Sequence, residues 1–399
     1  MVKIIPFGLF VSSFFIDIMT LVFIAPILAF NWLFIPKKKI PEQIIKKYSD
    51  IGIIIPAYNE ENNIARALFT AFNQTIKPKK VIVMDDCSTD NTYDICKKLQ
   101  KKYKNLKVIR RKVNSGKAAN VKYAIKLINQ KVTIVLDSDT FLAKNYVEEI
   151  TKPFANKRVV IVTGMSLPLK QPNFFGKVIH YGSIFQYKFF SFRKKAQEFR
   201  NAISVITGDS AAYRTSFLKE QGGLPEGTQT EDMDLTWIAL EEGYRIAFNL
   251  KAQSRFKDAN TLKGHWMQVT RWYAGGFQCL IKHNKKLIKA KPLLFTTLLP
   301  AYIDSFIYTV AFLIAPFLLF IIPKIVISFF LADLLLTLIG LAIVDRGNIL
   351  HLPSVYFIKF FWSAAWIYAA AKTSTEYLAG RRTWIGRWAR DNYYKKVKK

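Results

Sequence analysis

The apolar run Val132-Thr133-Ile134-Val135-Leu136 ends abruptly in Asp137-Ser138-Asp139. On a strand, residues two apart share a face, so this spacing predicts that Asp137 and Asp139 project together while Ser138 points the other way. Two hard oxygen donors then meet at a strand's carboxyl end. In an open α/β sheet ligands bind at that edge, and a carboxylate pair there can share a divalent cation that carries a diphosphate. Two more polar clusters close apolar runs in the same way: Pro56-Ala57-Tyr58-Asn59-Glu60 and Asp85-Asp86. Asn114-Ser115-Gly116-Lys117 opens a helical segment, where free backbone N–H groups and a lysine favour an anion such as a phosphate. Asp-x-Asp and Asn-Ser-Gly are each also ordinary turns, so the argument rests on the clustering.

The elements that carry these residues alternate between strand-like and helix-like patterns. Strands are predicted at 51–55, 80–84, 107–110 and 132–136, with helices at 63–75, from Asp90 to about Tyr103, and at 117–129. That rhythm specifies an α/β fold, a mostly parallel mixed sheet with helices on both faces. In such a sheet the three clusters lie along one rim and meet in space. A further strand is expected at 158–164, whereas 172–200 is aromatic and basic without a regular period.

The 399 residues are 51% hydrophobic, high for a wholly soluble chain, so part of the chain belongs in a membrane. Residues 4–36 are apolar apart from Asp17 and end in Lys37-Lys38-Lys39, which predicts a transmembrane helix at 1–36 with the following domain in the cytoplasm. Residues 264–290 read as an amphipathic interface region, with Trp266, Trp272, Tyr273 and Phe277 among basic residues. Three apolar segments follow, 293–322, 325–344 and 355–371, within a C-terminal membrane region of 291–380. If all three crossed, the basic tail 381–399 would lie outside, against the positive-inside tendency. The expectation is therefore a multi-pass cell-membrane protein with a cytoplasmic C-terminus, one segment being interfacial, re-entrant or a hairpin. Asp304 and Asp333 interrupt the apolar runs, and intramembrane acids often line a polar path. The net charge of +31 sits largely beside apolar segments and in the tail, which suits anionic lipids, and no nucleic-acid module accompanies it. Three cysteines without paired spacing imply neither a disulfide framework nor a zinc site.

The stretches Ile54–Glu60, Val83–Asp90, Asn114–Ala118 and Asp137–Asp139, in this order, resemble the family 2 inverting glycosyltransferases, which have the nucleotide-sugar-binding fold called GT-A. The resemblance covers roughly 51–275 and implies a cytoplasmic catalytic domain at 37–263. It implies that Pro56, Tyr58, Glu60 and Asp86 hold the uracil nucleoside with Lys117 nearby. It also implies that Asp137 and Asp139 hold the ribose side and a Mg2+ or Mn2+ on the diphosphate. Cys87 stands where the family usually has Gly. Asp209, in Ile206–Ser210, falls in the segment that approaches the acceptor sugar. Thr230-Glu231-Asp232 opens a helix with Leu235, Ile238 and Ala239 on its apolar side. There Thr230 reads either as an N-cap or as part of the acceptor site, and the acids either complement the helix dipole or act in catalysis. Inverting transfer needs a carboxylate to take the acceptor hydroxyl's proton, and by resemblance that base is Asp232, with Glu231 beside it. Gln268-Val269-Thr270-Arg271-Trp272 matches the Gln-x-x-Arg-Trp motif of the branch that contains cellulose, chitin, hyaluronan and poly-N-acetylglucosamine synthases. It implies Gln268 and Arg271 near the acceptor and the diphosphate and Trp272 against the acceptor sugar. The implied activity is transfer of sugar from a UDP-sugar to a growing β-linked polysaccharide with coupled translocation. Transfer of one sugar to a lipid-linked acceptor is the alternative. A membrane transporter with a nucleotide-binding domain is a third reading, which leaves Thr230-Glu231-Asp232 unexplained.

Overall fold

A computed structural model describes residues 50–344 and 348–380. The N-terminal segment 1–36, its three lysines and the tail 381–399 fall outside the described residues.

The chain alternates as the pattern requires. Strand β1 (Ile51–Ala57) leads to α1 (Ile64–Phe72), β2 (Lys80–Asp85), α2 (Thr92–Lys102), β3 (Leu106–Arg110), α3 (Lys117–Ala124) and β4 (Val132–Val135). These strands pair in parallel as β3-β2-β1-β4. Each central strand is buried throughout, as expected of a parallel sheet covered on both faces. Ile53, Ile55, Val81 and Val83 face a core closed by Ile64, Leu68 and Cys96, while Ile54, Ile82 and Met84 face one closed by Val121 and Ile125.

Beyond β4 the sheet becomes mixed. Strands β5 (Thr140–Leu142), β6 (Val159–Pro168), β7 (Ala212–Arg214) and β8 (Arg245–Phe256) extend it in the order β3-β2-β1-β4-β7-β6-β8-β5. Strand β7 runs antiparallel to both β4 and β6, and β5 antiparallel to β8. Helix α4 (Tyr146–Thr151) follows β5. Residues 172–200, which showed no period, form one long helix, α5 (Phe174–Phe199). Its pattern was hidden because the helix meets both the sheet domain and later helices, so apolar and polar residues do not segregate into one stripe.

Helices α6 (Thr215–Glu220) and α7 (Glu231–Glu241) precede β8, and α8 (Leu262–His283) follows it. Helix α7 corrects the amphipathic expectation: Asp234, Leu235, Thr236, Trp237, Ala239 and Leu240 are all buried and Ile238 is only half-buried. Helix α8 carries the expected aromatics, but α9 (Leu299–Leu318), α10 (Pro323–Val344) and α11 (Leu352–Leu378) follow, and α11 covers it. Trp266 meets Phe361 at 5.4 Å and Phe277 meets Trp366 at 5.4 Å between ring centroids. These aromatics join two helices.

Two helices among the described residues are long and apolar enough to cross a membrane, Leu287–Ala315 and Pro323–Ala342. The third segment expected to be apolar, α11, contributes Val355, Ile358, Ala365 and Ala369 to buried packing. It also sends Lys359 onto Asp333 of α10, at 2.9 Å. The Asp333 carboxylate also accepts from the Tyr308 hydroxyl of α9 at 2.6 Å, so this acid ties three helices together. The Asp304 side chain lies outside the described residues.

Candidate active site

The first rim cluster is held by its own polar side chains. Asn59 takes a left-handed φ of 56°, which Asn tolerates better than most residues, and its Oδ1 accepts from the Thr89 N–H at 2.8 Å. The Asn59 N–H in turn donates to Ser88 Oγ, and the Glu60 N–H to Thr92 Oγ1 at 2.7 Å. This stitching ties the loop after β1 to the loop after β2, leaving Tyr58 and Glu60 half-buried at the rim. Pro56 lies within β1 beside Met84. Burial, only partly offset by the Asn63 side chain, raises the Glu60 carboxyl above its usual range. Cys87 sits at φ 65°, the left-handed region that accounts for glycine at this turn in the resembling family.

Asp85 is wholly buried and faces Arg110 Nε at 3.3 Å, whereas Asp86 turns to the following loop. The two Asp86 oxygens accept from the Ser115 and Gly116 N–H groups at 2.8 and 2.7 Å. Two of the backbone donors at the start of α3 are thus taken by a carboxylate that reaches them from the end of β2, while the N–H groups of the helix's first turn are not among its partners.

Strand β4 stops at Val135, so Asp137-Ser138-Asp139 occupies a tight turn before β5 and does not continue the strand. The Thr140 N–H closes that turn on the Asp137 carbonyl at 3.1 Å. The alternation survives the change, with Ser138 buried and both acids half-buried at the rim. Burial first, then Asp137, Glu60 and Asp209, push the Asp139 carboxyl up to about 8. Asp209 lies beside them because its carbonyl accepts the Asp137 N–H, while its carboxylate takes the Ser166 hydroxyl and, at 3.1 Å, that of Ser210.

Lys117 leaves the first turn of α3 and crosses the site. Its Nζ is 2.7 Å from Asp137 Oδ1 and 3.5 Å from Glu231 Oε1, and donates to the Gly208 carbonyl at 2.8 Å. Burial would lower its pKa, but Asp137 and Glu231 outweigh it and hold the ammonium charged. One lysine thereby joins the rim to the helix that opens with Glu231-Asp232.

Asp232 packs edge-on against Gly208, where a Cβ would come within 2.6 Å of Oδ2. Its Oδ1 accepts only the neighbouring Met233 N–H, at 2.9 Å. Burial and then Glu231 push this carboxyl up to about 6, against the pull of Lys117 and Arg271. Thr230 makes no side-chain cap; it is buried against α8, where its Oγ1 lies 3.7 Å from Cys279 Sγ. Arg271 donates to the Gln229 carbonyl at 3.1 Å, just ahead of the acids. Trp272 stands near-perpendicular to Tyr187 and Trp362, each 6.5 Å away between centroids. Gln268 sits one turn before Arg271, its Oε1 buried without a hydrogen-bond partner.

Sequence reasoning missed the α5 contribution. Half-buried Lys194 is pushed down to about 8 by burial, although Asp209 and Asp232 pull it back. Tyr187, two turns earlier on the same helical face, buries its hydroxyl near Asp258 and Asp209. The i, i+7 spacing of these two residues was the available signal. Also missed was the tie between α7 and α8: His283 lies 2.8 Å from Asp234 and 2.9 Å from Glu241.

Fold and site together define a mixed α/β domain, with acids gathered on one sheet rim and a helical region appended behind them. Residues 52–222 match the family model described as Glycosyl transferase family 2. The poly-beta-1,6-N-acetyl-D-glucosamine synthase of Staphylococcus epidermidis is 28% identical over 248 residues, 61% of this chain and 58% of that protein. Its counterpart in Staphylococcus aureus strain MSSA476 is 25% identical over 256 residues, 63% of this chain and 61% of that one. The match thus spans less than two thirds of these relatives' length. Among solved structures, the mannosyltransferase PcManGT from Pyrobaculum calidifontis, in complex with GDP-Man and Mn2+, shares the fold with a TM-score of 0.60. It is 19% identical, with 90% of this chain and 97% of that chain covered.

The donor set fits a hard divalent cation. Asp139 is a carboxylate among carboxylates, and burial without a cationic partner is what raises it to about 8. Among the described residues no three His, Cys, Asp or Glu side chains form a ligand set by themselves. One or two carboxylates completed by phosphate oxygens and water is the usual arrangement for Mg2+ at nucleotides.

Proposed function

We propose that the chain is a membrane-attached inverting glycosyltransferase that moves a sugar from a UDP-sugar onto a growing β-linked polysaccharide. The observation that carries this reading is Lys117, whose contacts to Asp137 and Glu231 bring the rim acids and the Asp232 helix into one site. The family match of the sheet domain and the polymer-forming relatives support it.

In this reading Pro56, Tyr58, Glu60 and Asp86 form the nucleoside end. Asp139 and Asp137 would hold Mg2+ or Mn2+, which when bound supplies charge neutralisation on the diphosphate. Asp232 takes the proton of the acceptor hydroxyl, and that oxygen attacks the anomeric carbon as the bond to the diphosphate breaks on the opposite face. A carboxyl raised to about 6 is ionised near neutrality yet basic enough to accept a proton. Arg271 retains guanidinium donors beyond its bond to Gln229 and pairs with the departing diphosphate, as preorganised charge does where charge develops. Asp209 and Trp272 line the acceptor side, with Thr230 behind them, and the cytoplasmic face of the cell membrane is the working location.

Transfer of one sugar to a lipid-linked acceptor is favoured by a different observation. Helices α9 and α10 are joined by only Leu319–Ile322 and form an apolar hairpin, an arrangement that suits anchoring beside lipid. UDP release from the full-length protein in lipid, over a panel of nucleotide sugars with Mn2+, Mg2+ or chelator, tests the proposal. Metal-dependent release with one donor, abolished in Asp232→Asn, is expected. Sizing the product separates polymer from glycolipid, and release undiminished in Asp232→Asn would remove the assigned base.

A further inference from the structure

Three polar atoms at the junction of α8, α11 and the loop after β8 are buried without hydrogen-bond partners: His265 Nδ1, Gln268 Oε1 and Asp258 Oδ2. Buried polar groups are rarely left unpaired, so three together call for an explanation.

The starting point is Trp362 of α11, whose Nε1–H lies 3.0 Å from His265 Nε2. An indole nitrogen only donates, so His265 Nε2 accepts and the imidazole's single proton sits on Nδ1. Burial lowers the His265 pKa to about 4, which keeps the ring neutral in that tautomer. The Nδ1–H then needs an acceptor, and the side chain within reach is Gln268, one helical turn along α8. Gln268 also reaches Asp258, whose Oδ1 already takes the Ala259 N–H at 2.9 Å. The two ends of a glutamine amide have nearly the same shape, and their assignment follows from the surrounding hydrogen bonds. With Oε1 directed at His265 and Nε2 at Asp258, Oε1 accepts from His265 Nδ1–H and Nε2 donates to Asp258 Oδ2, the senses in which Gln268 acts on the two groups. One amide orientation satisfies all three atoms.

We infer that Trp362, His265, Gln268 and Asp258 form a single directed hydrogen-bond chain through which α11 positions Trp272 on the acceptor side of the site. The donors run in one direction, from the α11 indole to the β8 loop. Trp362 is thereby fixed as the wall that Trp272 packs against, its ring also stacked on Phe190 of α5 at 6.0 Å. Gln268, engaged at both ends, orients the acceptor side. The acceptor role of Trp272 rests on the proposed function, whereas the direction of the chain does not.

The test uses the full-length protein in lipid nanodiscs with nitrogen-15-labelled histidine, the His265 signals being assigned with His265→Asn. At about pH 6, where a free histidine is largely protonated, His265 is expected as the neutral Nδ1–H tautomer. An Nε2–H tautomer or an imidazolium there would overturn the chain, and this reading needs no variant to fold. Trp362→Phe keeps the aromatic wall but removes the donor. It should release the tautomer and raise the acceptor KM roughly tenfold, the scale of one orphaned buried hydrogen-bond partner. Acceptor-independent UDP release should stay within about twofold, because the donor side is untouched. An unchanged acceptor KM in this variant would overturn the positioning role. Absence of UDP release from the unaltered protein would instead remove the glycosyltransferase reading, while the tautomer still decides the chain.

Discussion

Gly208 has no room for a side chain, and the group that denies it room is the proposed base. A Cβ built there meets Asp232 Oδ2 at 2.6 Å, Cγ at 2.9 Å and Cβ at 3.1 Å. Ordinary carbon-to-oxygen contact begins near 3.4 Å, so Gly208→Ala must displace the carboxylate by about 0.8 Å or turn it off its bond to the Met233 N–H. Misplacing a reacting group by about 1 Å costs on the order of 100-fold in rate. At about 1.36 kcal/mol per factor of ten, that is about 2.7 kcal/mol of barrier. Overpacking one methyl costs about 1–3 kcal/mol of stability, so the variant should still fold. The peptide carbonyl of residue 208 keeps its bond to Lys117, which leaves the rim in place. Initial rates of UDP release at saturating donor and acceptor, with thermal melts alongside, measure both effects. A folded Gly208→Ala protein whose kcat stays within about threefold of the parent would refute Asp232 as a closely positioned base.

Three further outcomes follow from the charges. Because burial and Glu231 raise the Asp232 carboxyl to about 6, the base is lost as pH falls through that value; kcat/KM should rise with unit slope below about pH 6 and level above it. A flat pH–rate profile down to about pH 5 would contradict this assignment. Lys117→Met leaves Asp137 and Glu231 without the cation between them and should lower kcat/KM on the order of 100-fold, a loss under about fivefold being inconsistent with its bridging role. For His283, burial alone would lower the pKa, but the hydrogen bonds to Asp234 and Glu241 raise it above 6.5. Its stabilisation is therefore complete below 6.5 and lost as pH rises through the higher folded value. Thermal melts of His283→Gln should show a loss of about 1.5–3 kcal/mol at about pH 6 that shrinks in alkali, and a pH-independent loss would count against an imidazolium there.

The parallel half of the fold was legible because every central strand is buried on both faces and therefore reads as an unbroken apolar run. Polar clusters closing those runs located the rim by the same logic, and Lys117 does join Asp137 of the rim to Glu231 beside Asp232. Local sequence fixed where chain direction changes, since turns and strand ends depend on neighbours a few residues away. It could not assign Asp86, whose partners are the Ser115 and Gly116 N–H groups about thirty residues on. Nor could it recognise α5, α7 or α11 for what they are. A helix enclosed by several elements has no single apolar stripe, and no local pattern shows that α11 packs on α8 or that its lysine pairs with Asp333. Residue types and spacing thus determined the chemistry available to this chain. Which carboxylate is lifted above its ordinary range was decided by burial and by partners distant in sequence, quantities that exist only once the chain has folded.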